Sequence, residues 1–211
     1  MDFENNKVKI SGMVCSGFTF SHDVFGEGFY IMTVEVKRKG EALDFIPVMV
    51  SDRLVDIEKD YSGMYVEVSG QFRSFNRQEG EKRRLVLSVF AREIEFKEEC
   101  GGLDTNDISL AGYICKSPIY RKTPLGREIA DVLLAVNRPY GKSDYIPCIC
   151  WGRNARFADG FEVGEHIKVW GRIQSREYQK RISDDEFEKR VAYEVSVSKV
   201  EIAKEAAEDE E

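Results

Sequence analysis

Histidine is nearly absent from this 211-residue chain, which holds only His22 and His166. Neither a Gly-x-Ser-x-Gly elbow nor a Walker-type glycine run occurs, so the side-chain sets that perform acyl or phosphoryl transfer are missing and no enzymatic activity is expected. The five cysteines have neither the even number nor the spacing of a disulfide framework, and no second ligand pair stands at zinc spacing from Cys148-x-Cys150. No metal or other cofactor is expected. No run approaches the roughly 20 apolar residues of a membrane-spanning helix, and Met1-Asp2-Phe3-Glu4-Asn5 has no basic-then-apolar signal pattern. A cytoplasmic, nucleoid-associated protein with reduced thiols and no membrane partner is the expectation.

An excess of positive charge is missing too: the formal net charge is −7. Its distribution matters more than its sum. Residues 1–96 hold 13 basic against 16 acidic side chains, net −3, whereas residues 106–202 hold 16 against 14, net +2. Only the second half is electrostatically suited to an anionic partner.

Laying residues 6–52 over 106–152 without a gap shows an internal repeat. Asn6, Gly12, Cys15, Gly26, Val36, Arg38, Asp44, Ile46 and Pro47 all recur one hundred residues later. A unit of this length with period-two alternation is an all-β domain rather than a short solenoid module. Strands are expected near 6–16, 29–38, 43–51, 63–76 and 84–96, and near 106–116, 129–138, 144–151, 164–178 and 189–202. Short helical turns are expected within Asp52–Asp60 and Gly152–Asp159. The organisation read from this is unit 1 at 1–97, a glycine-containing linker at 98–105, unit 2 at 106–203 and a mobile acidic tail at 204–211.

Parity splits the fourth strand of unit 2 into two faces. Ile167, Val169, Gly171 and Ile173 form one; His166, Lys168, Trp170, Arg172, Gln174, Arg176 and Tyr178 form the other. Cations interleaved with rings suit a single nucleic-acid strand, whose phosphates follow the charges while its bases stack. On the third strand, Tyr145, Pro147, Ile149 and Trp151 share the outward face, and Cys148 and Cys150 the inward one. Tyr140 and Arg138 stand in the turn before it. The basic segment Ser117–Arg127, with Arg121 and Lys122, is a candidate to wrap a strand, and the loop Gln179–Glu188 is ambiguous. In unit 1, Phe45 keeps the ring of Tyr145, but Ser51 replaces Trp151 and Gly40 replaces Tyr140. Unit 1 is therefore expected to be mainly a scaffold or dimerisation surface.

These residues carry a resemblance. Asn106-x-x-x-Leu110-x-Gly112, Gly126, Leu134-Ala135-Val136, Tyr145 to Gly152, Gly164 and Gly171 to Tyr178 resemble the bacterial single-stranded DNA-binding protein family. The resemblance implies two tandem OB-fold five-stranded barrels and base stacking by Tyr140, Tyr145, Trp151 and Tyr178; Trp170 comes from parity alone. It also implies a homodimer, because family members present four barrels. Replication or repair proteins are further implied partners, recruited by an acidic tail with an apolar tip; here Glu208-Asp209-Glu210-Glu211 is acidic without that tip. Two competing readings stay open. One is a protein-binding accessory module of a replication or DNA-transfer complex, favoured by the net negative charge. The other is RNA in place of DNA, since stacking and phosphate contacts ignore the sugar.

Overall fold

The computed structural model describes residues 5–79, 82–98, 102–181 and 187–203. The first half forms β1 (Asn6–Val14), β2 (Thr19–Val24), β3 (Glu27–Lys37), β4 (Leu43–Ser51), β5 (Tyr65–Glu79) and β6 (Lys82–Lys97). The second forms β7 (Asn106–Ile114), β8 (Ile119–Lys122), β9 (Glu128–Arg138), β10 (Lys142–Trp151), α1 (Arg153–Ala158), β11 (His166–Arg181) and β12 (Phe187–Ile202). In each half the strands close on themselves. β1 pairs with β5 along most of its length and with β3 at Met13 and Val14; β3 pairs with β4, β4 runs parallel to β6, and β6 returns to β5. The second half repeats this circuit as β7, β9, β10, β12 and β11. Two tandem five-stranded OB-type barrels result, and closure removes most of the free edge an open sheet would expose.

Sequence alternation explains the cores. Val8, Ile10, Val34, Val36, Ile46, Val48, Val66, Val68 and Phe72 fill the first barrel, and their counterparts Ile108, Leu110, Leu134, Val136, Ile146, Cys148, Ile167, Val169 and Ile173 fill the second. The repeated asparagines have a shared task. Asn6 donates to the Phe72 carbonyl and accepts from its N–H, both at 2.8 Å, and Asn106 does the same at Ile173, also at 2.8 Å. Each side chain thus completes a backbone pair where the sheet ladder ends. Asn6→Ala leaves a buried donor and acceptor unpaired, and a stability loss of about 1–3 kcal/mol is expected in urea unfolding. Gly70 and Gly171 answer to crowding: a Cβ there would lie 2.1 Å from the carbonyl oxygen of Phe90 or Ser196.

Three features depart from the sequence expectation. β2 and β8 are additional strands, each paired among the described residues only to its following neighbour; their exposure leaves no buried alternation to betray them. The segment Gly152–Asp159 does contain a helix, α1, anchored by buried Ala155 and Ala158. Asp52–Asp60 forms turns instead, with the Asp56 carboxylate accepting from the Glu58 N–H. Such side-chain bonds compete with helical ones.

The barrels are related by a two-fold within one chain. β1 and β7 pair antiparallel with Val8 opposite Ile108, equivalent positions of the repeat. The end of the linker is fastened beside them: Thr105 exchanges bonds with Ser11, and the Lys37 N–H donates to Asp104 at 2.7 Å. Gly101 and the acidic tail lie outside the described residues.

Two seams complete the union. Asp44 of β4 accepts from the Ser175 N–H of β11 at 2.8 Å, while Asp144 of β10 accepts from the Ser74 N–H of β5 at 2.7 Å. The Ser175 hydroxyl in turn receives the Phe45 N–H at 3.0 Å, and the Ser74 hydroxyl receives that of Tyr145 at 2.8 Å. Each barrel's long hairpin strand is therefore bonded to the other barrel's third core strand.

Candidate nucleic-acid interface

The outward face of β10 follows from its parity. Asp144, Ile146, Cys148 and Cys150 turn inward and are buried, which leaves Tyr145 at 45% exposure and Trp151 at 37%. The Trp151 Nε1–H donates to Ser196 Oγ at 3.2 Å, fixing the ring edge to β12 while the ring stays accessible. β12 lies between β10 and β11, with Ile149 beside Ser196 and Ser196 opposite Arg172. The face thus runs across three strands. Tyr178, on the protruding part of β11, is 36% exposed, and the Arg176 guanidinium lies 5.8 Å from its ring centre. Tyr140 is fully exposed in the Pro139–Gly141 turn, at a positive φ of 62°. Phe45 is exposed beside β11 of the second barrel.

Other predicted residues go elsewhere. Trp170 stands opposite Ser109, which stands opposite Lys7, so its ring borders a shallow groove where the barrels meet, with the Lys199 ammonium 4.6 Å from the ring centre. His166, on the same side, stacks on Tyr113 at 4.6 Å, and Lys168 is exposed opposite Glu201. The strand curls around its barrel, so one parity class faces two places.

Arg172 and Arg138 also differ from a simple outward line. Arg172 donates to Asp44 at 3.1 Å across the seam, and Arg138 lies 3.1 Å from Asp144. Burial pushes the Asp144 carboxyl up, against the pull of the Ser74 N–H and Arg138. Arg138 and Arg172 remain about one-third exposed or less. Each therefore starts from a partly neutralised state. Arg121 pairs with Asp131 at 2.9 Å on β9, within a hairpin rather than a free loop, and Lys122 is exposed at the end of β8. Part of the Gln179–Glu188 loop, residues 182–186, lies outside the described residues. The Cys148 and Cys150 thiols are buried in the second barrel, and burial raises Cys150 to about 12.

Unit 1 also carries a cluster of cations around a ring, which the comparison of its third strand with that of unit 2 does not reveal. Phe90 of β6 carries the Arg73 guanidinium 4.0 Å and the Arg92 guanidinium 5.3 Å from its ring centre. Aligning the last strands of the repeat sets Phe90 against Ser196, a signal already in the sequence.

The fold and this face define a two-barrel OB protein with outward rings and cations. Residues 105–203 match the model of the Single-strand binding protein family. Single-stranded DNA-binding protein B of Bacillus subtilis is 35% identical over 81 residues, covering 35% of this chain and 72% of that protein. Single-stranded DNA-binding protein 2 of Listeria innocua is 37% identical over 81 residues, covering 35% of this chain. The match spans about half the length of the Listeria protein, 51%. The wild-type single-stranded DNA-binding protein of Thermus aquaticus shares the fold, with a TM-score of 0.75 at 19% identity, over 98% of this chain and 96% of that one. This chain belongs to the single-strand binding protein family.

Proposed function

We propose that the chain binds single-stranded DNA without sequence preference, in replication, recombination or repair, and performs no chemical step. The observation that carries this reading is the joint exposure of Tyr145 and Trp151 on β10 with Tyr178 and Arg176 on β11. Rings on a barrel face beside cations match what a flexible strand offers, bases to stack and phosphates to neutralise. Tyr140, Phe45, Arg121, Lys122 and Lys168 extend the path, and Arg138 and Arg172 contribute at its seams. Family membership supports this reading over a protein-binding module. We further propose that two copies associate, bringing four barrels together in the cytoplasm; light scattering is then expected to give twice the 24.2 kDa of one chain.

Intrinsic tryptophan fluorescence tests the reading directly. Titration with unlabelled oligothymidine is expected to quench emission from exposed Trp151 saturably, with affinity that falls steeply as salt rises. Quenching absent even at low salt would return the protein-binding module to the front. A matched oligouridine titration separates DNA from RNA.

A further inference from the structure

The two barrels are not simply one rich and one poor binding face. In the second, Trp151 on β10 bonds Ser196 on β12. In the first, the two residue types exchange strands: Ser51 occupies the β4 position and Phe90 the β6 position. An aromatic side chain is thus retained, displaced by one strand.

The surroundings of Phe90 hold more positive charge than their counterpart. Arg73 Nε and Nη2 both donate to Gln71 Oε1, at 3.3 and 2.8 Å, which leaves Nη1 without a protein acceptor among the described residues. Arg92 is exposed. Among the described residues, neither guanidinium has a carboxylate within ion-pairing distance. In the second barrel the equivalents are Gln174 and Ser198, and Gln174 donates to Glu194 at 2.6 Å. The first barrel has Ser88 in place of Glu194. One seam therefore has a carboxylate that the other lacks.

Continuity with the proposed face is direct. Ser74, next to Arg73, accepts the Tyr145 N–H and donates its own N–H to Asp144, on which Arg138 also converges. Burial first, then repulsion from Arg92 and Arg138, lowers Arg73 to about 10, so it is charged at neutral pH. Arg73 and Arg138 thus act on the shared Asp144 carboxylate, while Arg92 joins Arg73 over the half-buried Phe90 ring.

We propose that Arg73 and Arg92, supported by Phe90, form a second contact on the first barrel for a backbone phosphate of the same DNA strand, as it crosses from Tyr145 over the seam between β10 and β5. The contact rests on the single-stranded DNA reading above. A guanidinium supplies several N–H donors matched to phosphate oxygens, and packing against a ring limits the freedom lost on binding. The first barrel is then part of the binding path rather than a scaffold alone.

The experiment compares the full-length chain with R92Q and R73Q/R92Q. Affinity for a long oligothymidine is measured across a salt series, with Trp151 quenching as readout and thermal unfolding as the folding control. Removing this phosphate contact altogether in R73Q/R92Q is expected to flatten the slope of log K against log salt by about 0.7, and R92Q is expected to flatten it by part of that. A short oligothymidine that occupies only the second barrel is expected to bind all three proteins equally. If the double variant unfolds early, R92Q decides, since the exposed Arg92 makes no hydrogen bond among the described residues. Unchanged slopes with a wild-type chain that quenches normally would overturn the second contact and leave the DNA reading standing. A wild-type chain that does not quench at all would remove both.

Discussion

Replacing Asp44 by alanine is expected to cost about 3 kcal/mol of folding stability, toward the lower end of what breaking a buried ion pair costs. Asp44 is fully buried, yet it accepts from the Arg38 Nε–H at 2.7 Å, from Arg172 at 3.1 Å and from the Ser175 N–H at 2.8 Å. Its removal strands two guanidinium groups and one backbone donor at a junction of the barrels. Both arginines keep contact with water, at 28% and 35% exposure, so solvent recovers part of the loss. Asp44→Asn retains an acceptor without the charge and is expected to fall between wild type and alanine. Urea unfolding at constant m-value is the measurement. A loss below about 1 kcal/mol, the ordinary worth of an exposed ion pair, would show that the seam is solvated rather than structural.

The second large effect concerns binding. Tyr145→Ala and Trp151→Ala are each expected to weaken single-strand affinity by about 1–3 kcal/mol, roughly fivefold to 150-fold, the worth of one stacked base. Combined, they remove both rings of the β10 face, and the loss is expected to exceed that of either alone, though neighbouring sites need not add. Anisotropy of a labelled oligothymidine is the suitable readout, because one variant lacks Trp151. Both rings are largely solvent-accessible at one side, so unfolding midpoints are expected to move little. Trp170→Ala is the contrasting variant. Its ring lies under Lys199 in the groove between the barrels, so a smaller effect on affinity is expected there. Equal losses from Trp151→Ala and Trp170→Ala would instead place the strand along the curl of β11.

Much of this arrangement was legible from local pattern. Period-two alternation located the ten barrel strands and turned Cys148 and Cys150 inward while Tyr145 and Trp151 faced out. Repeated residues marked positions of shared necessity: Asn6 and Asn106 close a ladder, and Asp44 and Asp144 anchor a seam. β2 and β8 escaped because an exposed edge strand has no buried side to impose alternation. The turns at Asp52–Asp60 escaped because carboxylates competing for backbone donors decide them one bond at a time.

The sequence by itself determined the repeat, the barrel cores and the sidedness of each strand, since those depend on neighbours two residues apart. Tertiary structure alone decided which outward residues meet. Parity set Trp170 and Tyr178 on one face of β11, but curvature and the bulge beside Trp170 carry the tryptophan to the groove between the barrels and the tyrosine onto the protruding hairpin. Arg172 looked like a free cation until the two-fold pairing of β1 with β7 brought it to Asp44, 128 residues away. Charge partners at such separations depend on how two closed barrels dock, and no periodicity along a single strand encodes that.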